Sequence, residues 1–445
     1  MKKVIITSAI LTVLFVIQLS SFAQNSWQER EKVKSLPLQQ TNRPLRTLHY
    51  LTLTVGQTEG DMMGKDDKII QAGVDYLNRL GGGTLRILPG VYNMKNSVYL
   101  HPNIKIKGSG DKTVLKMAPG FVTPIIRNMD GGEYAVQVKD PSGFEPGRGI
   151  MLRTTAKAAW QIEVLKATVT KIEGDIVYFD KIADKDFHLN KQCTAATIFP
   201  ILTAENVDNV NVEDIVFDGN KEQNEHINGN FSGAVFLHLC NNWNFKNVTS
   251  KNYNGDGYSW QTCNDIHLDH CKSLNNSDLG FHPGTGAQRP ILTNCTSTGN
   301  SEGLYFCWNV TDGFVDNCTF TENIKYGISV GHRDTDNIIQ NCLVENNKEV
   351  GILFRKDDDD DFFAGNRNLV KNCIVKDNGT KKEGVGIDVT WKTQGITIEN
   401  TKFISSQAGI QKIGIKIGKD TEGIKTSGNT FEKMDVEIKN LKLNN

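Results

Sequence analysis

The chain lacks a net charge of either sign: 50 Lys plus Arg stand against 51 Asp plus Glu in 445 residues. No global field therefore draws it to nucleic acid or to an anionic membrane, and charge-based recognition has to be local. It lacks a second long apolar run. After residues 4–19 nothing approaches the ~20 apolar residues of a spanning helix, so no membrane span is expected in the mature protein. Helical periodicity is nearly absent. So are a nucleotide-binding loop, a zinc-ligand spacing and a nucleophile elbow. An even number of cysteines is missing too. The count is nine, with six or more in strand or stacked positions, which argues against a disulfide framework. Free, buried thiols are expected, with Cys193 and Cys307 as exposed exceptions.

What is present begins with an export signal. Residues 1–23 carry two lysines, an apolar run and Ser21-Phe22-Ala23 before Gln24, the pattern of a cleaved secretory segment. No lipid-anchor cysteine follows. A secreted or periplasmic, soluble and monomeric protein is expected. Residues 24–54 are polar and irregular and read as an N-terminal arm.

The dominant feature is a ladder. Asn247-Val248, His270-Cys271, Asn294-Cys295, Asn317-Cys318, Asn341-Cys342, Asn372-Cys373, Asn400-Thr401 and Asn429-Thr430 are spaced by 23, 24, 23, 24, 31, 28 and 29 residues. Self-similarity at this period marks stacked units, because no single unit can bury its own apolar face. Each unit also has a short run after a glycine: Gly257-Tyr-Ser-Trp, Gly280-Phe-His-Pro, Gly303-Leu-Tyr-Phe, Gly327-Ile-Ser-Val, Gly351-Ile-Leu-Phe and Gly386-Ile-Asp-Val. Period-two alternation broken by Gly, Asn and Asp is strand and turn grammar. Strands that recur once per coil pair in parallel about 4.8 Å apart, so like residues stack on like. The ladder asparagines are expected to bond one another and the turns, and the cysteines beside them to act as small buried hydrophobes. The same structural role discounts the Asn-Val-Thr and Asn-Cys-Thr triplets as glycosylation acceptors. A polar loop bearing Glu225 and His226, between Asp218 and Gly233, interrupts the rhythm.

Outside the regular coils, Ile69, Ile70, Val74, Leu77 and Leu80 fit one face of a helix, and Asp66 or Asp67 suits its N-cap. Such a helix would plug an open end of the stack, where bare strand edges recruit other chains. The series Gly60-Asp61, Asp66-Asp67, Ile70-Gln71-Ala72, Val74-Asp75, Gly81-Gly82-Gly83-Thr84 and Leu88-Pro89-Gly90-Val91-Tyr92 resembles the opening of the pectate-lyase-like superfamily. With the downstream coils the resemblance spans residues 55–430. It implies an all-β, right-handed parallel β-helix with an N-terminal capping helix. It also implies a carbohydrate-active protein, although the superfamily holds lyases, hydrolases, epimerases, tailspikes and non-catalytic surface proteins. The expected organisation is a cap with first coils over 55–120, a β-rich insertion or decorated coils over 121–200, regular coils over 201–433 and a C-terminal cap over 434–445.

Alternation places the second residue after each glycine on the outside: Ser259, His282, Tyr305, Ser329, Leu353 and Asp388. His282 and Tyr305 thus stand side by side, with His332 and Arg333 at the end of the next strand and Arg355 and Lys356 one coil on. Side chains one rung apart lie about 4.8 Å from one another and those two along a strand about 7 Å, the footprint of a sugar chain. This strip suits β-elimination from a uronate, in which a cation neutralises the carboxylate, a base removes the C5 proton and an acid assists the leaving oxygen. His282 and Tyr305 are the candidates for proton transfer. Arg355, His332 or Arg333 would hold the carboxylate, and Lys356, Trp308, Trp391 and Asp388 are further substrate-binding candidates. A polysaccharide lyase, an oligosaccharide dehydratase and an epimerase all fit this apparatus. The alternatives are a non-catalytic glycan-binding surface protein and an inverting glycoside hydrolase using Asp256 and Glu302, whose backbones lie about 9.6 Å apart over two rungs, near the ~6.5–9.5 Å of that class. Alternation points those two inward, and the Asp-Asp and Gly-His-Gly elements of polygalacturonase-like hydrolases are missing. No cofactor is required. The run at 357–361 offers oxygen ligands for Ca²⁺ or is a solvated loop.

Overall fold

The computed structural model describes residues 51–356, 364–379, 383–406 and 410–442. The expected signal, most of the arm and the acidic run at 357–361 lie outside the described residues. The helix forms over Asp67–Arg79, with Asp66 as N-cap accepting from the Lys68 N–H, and it buries Ile70, Val74 and Leu77. It packs closely on the strand Gly83–Ile87. A side chain at Gly73 would sit 2.6 Å from Leu85, so the helix approaches the first coil through a glycine.

From there the chain winds in parallel coils. One sheet stacks, in chain order, Val98–Tyr99, Leu202–Glu205, Gly233–His238, Asp256–Gln261, Leu279–Pro283, Glu302–Tyr305, Tyr326–Val330, Val350–Phe354, Gly384–Val389, Gln411–Ile417 and Val436–Asn440. A larger sheet carries the remaining coil strands. Tyr258, Phe281, Leu304, Ile328, Ile352 and Ile387 form one inward column, and Trp260, Phe306, Val330, Phe354 and Val389 another; all are buried. Each such side chain contributes about 1.5–3 kcal/mol on burial. All nine cysteines are free and buried, including Cys193 and Cys307, which corrects the expectation that these two are exposed. Cys193 sits in the core of an inserted sheet, and Cys307 lies under a cavity described below.

The ladder asparagines hold corners. Asn247, Asn294, Asn317, Asn341, Asn372 and Asn400 all have φ between 50° and 56°, the left-handed region that Asn tolerates better than most residues. Asn317 bonds Asn294 at 2.7 Å, but Asn294 and Asn341 donate instead to Asp269 and Asp316. A second, fully buried ladder runs through Asn276, Asn300, Asn323, Asn347, Asn378 and Gln411. It satisfies the backbone of successive turns from inside the coil.

Between the coils, six short strands from Val122 to Ala196 build an antiparallel sheet. It has its own core, including Val136, Leu152, Val169, Phe179 and Phe187. Among the described residues no helix is long and apolar enough to cross a membrane.

Candidate active site

Register turns a sequence column into a spatial one. Thr203, Phe236, Ser259 and His282 pair in succession, Tyr305 follows one rung on, and Ser329, Leu353, Asp388 and Lys416 complete the row. The His282 and Tyr305 rings meet edge to face, with centroids 5.6 Å apart. They do not face open solvent, as expected from alternation alone, because loops and the insertion stand over this face. Ser259 Oγ donates to the Gly229 carbonyl at 2.7 Å, and Lys166 Nζ of the insertion donates to the Phe231 carbonyl at 2.7 Å. The result is a cavity of about 1390 Å³ lined by His282, Glu302, Tyr305 and Trp308 of the coils and by Trp160 and Lys166 of the inserted segment.

The structure corrects the phase of two carboxylates. Asp256 and Glu302 face the cavity, not the coil interior. The cause is the glycine that follows each. A Cβ on Gly257 would lie 2.2 Å from Ser273 Oγ and 2.8 Å from Asn276 Nδ2, both interior groups, so the glycine position and the aromatic or aliphatic position after it both point inward. Strict alternation breaks there, and the residue before the glycine turns out.

Asp256 Oδ2 lies 2.6 Å from His282 Nδ1, and Asp256 Oδ1 accepts the Leu279 N–H at 3.0 Å. Both side chains are buried, at 0 % and 3 % exposure. Burial works against the imidazolium, but the Asp256 charge and hydrogen bond outweigh it, with Cys307 acting in the same direction, and push His282 up to about 10. Burial also raises the Glu302 carboxyl to about 7, against the opposing pull of Arg355 and Lys325. His282 Nε2 and Glu302 Oε2 are covered and have no hydrogen-bond partner among the described residues. Unmet buried polar atoms cost about 1–3 kcal/mol each, and a catalytic role is one of the reasons such atoms persist.

Arg355 stands against the Tyr305 ring, with Cζ 4.1 Å from its centroid. Its guanidinium bonds Ser329 Oγ at 3.2 Å and the Phe306 carbonyl at 2.8 Å, and approaches buried Asp334 at 3.5 Å. It supports Tyr305 from outside the cavity lining. His332 does reach the cavity, stacked face to face on Trp308 with centroids 4.1 Å apart; Trp160 lies 6.3 Å from Trp308. The other candidates are not brought in. Asp388 pairs with Lys416 at 3.0 Å, Lys356 lies 4.5 Å over the Trp391 ring, and Arg333 occupies a left-handed turn position with φ 68°. None of the four lines the cavity.

Sequence reasoning does not find Lys166, Lys325 or the His226–Asp278 pair at 2.7 Å, all of which line it. The one signal for His226 is its place in the polar loop that interrupts the repeat. Nothing in the sequence pattern singles out Lys166, since its contacts come from docking a non-repeating sheet. As for metals, Asp130, Asp186 and His188 of the insertion gather ligand atoms within 4.8 Å. His188 there already bonds Asp130 at 2.7 Å, and the cluster is not among the residues lining the cavity.

Residues 233–403 match the family model of the right handed beta helix region. No curated protein matches the chain. Among solved structures, the A-module of the mannuronan C-5 epimerase AlgE4 of Azotobacter vinelandii is 12% identical with a TM-score of 0.53, over 86% of this chain and 97% of that one. The A-module of AlgE6 of the same organism is 13% identical with a TM-score of 0.52, over 84% and 92%. PfbA, a surface adhesin of Streptococcus pneumoniae, is 13% identical with a TM-score of 0.54, over 84% and 91%. At this identity the likeness is one of fold. Coils, cap and family match together make the chain a right-handed parallel β-helix protein.

Proposed function

We propose that the protein acts on uronate-containing polysaccharide or oligosaccharide by β-elimination, as a polysaccharide lyase or oligosaccharide dehydratase. The observation that carries this reading is the buried Asp256–His282 pair beside a Glu302 carboxyl with an unmet oxygen. Held above neutrality, His282 is an imidazolium and a poor base, but it is a suitable cation for the uronate carboxylate. Glu302, raised to about 7, matches the work of a proton acceptor at neutral pH. It takes the C5 proton; the C–H electron pair becomes the C4–C5 double bond as the C4–O bond breaks; and the departing oxygen takes the phenolic proton of Tyr305. Compared with the sequence reading, His282 takes the carboxylate role and Glu302 the proton.

Asp256 has both oxygens engaged, which disfavours the paired-carboxylate hydrolase. Two neighbours of this fold are named as C-5 epimerases of mannuronan, and C5 is the carbon from which the proton leaves here. Export through residues 1–23 would bring the protein to extracellular or periplasmic glycans, which N-terminal sequencing of the secreted protein checks.

The test is incubation with a panel of uronate glycans. Elimination gives an unsaturated uronate that absorbs in the near ultraviolet. Reducing ends without that absorbance indicate hydrolysis, a changed sugar composition without cleavage indicates epimerisation, and binding without any reaction indicates a glycan-binding protein. Each of the last three refutes the proposal.

A further inference from the structure

Lys166 comes from the longest strand of the insertion, Val164–Glu173, and reaches across to the coil. Its Nζ lies 3.8 Å over the Phe236 ring and donates to the Phe231 carbonyl at 2.7 Å. Among the described residues Lys166 forms no salt bridge, and Glu205 acts on it through its charge alone. An ammonium has three donors, so two remain for a ligand. Lys181, also on the cavity wall, is near enough for its charge to act on Lys166, and burial together with that charge, against the opposing charge of Glu205, lowers Lys166 to about 7. Asp184 and Glu205 are the carboxylates of this part of the wall, and Glu205 is paired with His238 at 3.2 Å. Two lysines held together with one partly desolvated are an unfavourable arrangement that an anion would relieve.

Register supplies the distance to the reacting centre. Phe236, Ser259 and His282 are consecutive rungs of one column, so Phe236 stands about 10 Å from His282 along the face. That is the reach to the neighbouring residues of a glycan, not to the same ring.

We propose that Lys166, assisted by Lys181, forms a subsite for the carboxylate of a uronate adjacent to the one held at His282. The substrate is then a run of uronates, not a lone uronate among neutral sugars. This assignment rests on the reading of His282 as the primary carboxylate site.

Calorimetry on the full chain tests it, in a Tyr305→Phe background so that ligand is not consumed. The probes are trimers of galacturonate, mannuronate and guluronate, and an acidic trisaccharide with one uronate and two xyloses. With Lys166 present, at least one homotrimer should bind about tenfold or more tightly than the singly charged probe. Lys166→Met should abolish that preference and leave the singly charged probe unchanged, and Lys166→Arg should retain most of it. Equal binding of both kinds of probe, equal weakening of both in Lys166→Met with an unchanged circular dichroism spectrum, or binding of none overturns the assignment. If the trimer preference depends on Lys166 but the unsubstituted protein yields no unsaturated product, the elimination chemistry fails and the subsite stands. Product formation with no dependence on Lys166 overturns the subsite and leaves the elimination chemistry standing.

Discussion

His282 and Asp256 meet at 2.6 Å with both side chains buried, so neither can change without stranding the other. Asp256→Asn should cost about 3–5 kcal/mol of stability, as expected when one partner of a buried pair is removed, and should abolish turnover. The pair also sets a pH signature. His282 is raised from 6.5 to about 10, so its contribution is complete below pH 6.5 and is lost as pH rises through about 10. Melting temperature should fall over that window in the unsubstituted protein and fall less in the Asp256→Asn/His282→Gln double variant. Parallel curves for the two would show that the pair is not charged.

Glu302 predicts the opposite trend. Its carboxyl is raised from 4.5 to about 7 by burial, so ionising it costs folding free energy, and stability from this group declines as pH climbs from 4.5 through 7. Glu302→Gln should therefore leave the protein at pH 8 as stable as before or more so, by an amount on the order of 3 kcal/mol at most. Turnover should drop by about 10²–10⁴-fold. In the unsubstituted protein turnover should rise with pH through about 7. A Gln variant that keeps its activity removes Glu302 from the chemistry.

The contrast between these carboxylates and their neighbours shows what a sequence of this kind discloses. His282 and Tyr305 are legible as a pair because parallel, in-register coils convert a position in the repeat into a position in space. The outward direction of Asp256 and Glu302 is not, because period-two alternation fails at the glycine after each, whose Cβ direction is filled by interior groups: Ser273 and Asn276 at Gly257, Asn323 and Phe320 at Gly303. Arg355 falls in the expected row, yet its reach ends on the Phe306 carbonyl and Ser329, which no repeat pattern encodes. Lys166 enters through tertiary docking of strands with no counterpart in neighbouring coils.

Tyr305 separates chemistry from support. Tyr305→Phe keeps the ring that packs on Arg355 at 4.1 Å and removes only the hydroxyl, so kcat should fall about 10²–10⁴-fold with little change in KM or melting temperature. Arg355→Met should act on stability as well, because it takes the guanidinium away from Ser329 Oγ, the buried Phe306 carbonyl and Asp334; a loss of about 1–3 kcal/mol is expected. Steady-state kinetics beside thermal melts distinguish the two. A Phe variant with full kcat would leave Tyr305 a purely structural residue.

The two asparagine ladders should respond differently to glycine, because one serves backbone conformation and the other hydrogen bonding. Asn317 has φ 53°, where an added Cβ costs about 1–2 kcal/mol that Asn partly offsets. Asn317→Ala should therefore destabilise by less than the full penalty, about 1 kcal/mol, and Asn317→Gly should recover it apart from the exposed bond to Asn294. Asn323 is fully buried, donates to Asn347 at 2.9 Å and accepts the Asn300 N–H at 3.2 Å. Replacing it by either residue leaves groups on two adjacent coils unpaired, at about 1–3 kcal/mol each. Here glycine should give no recovery and should be slightly worse than alanine, since it adds backbone freedom to the unfolded chain. Urea denaturation of the four variants measures this. Recovery by glycine at position 323 would mean that the inner ladder, too, is a conformational device and not the hydrogen-bonded spine of the coil.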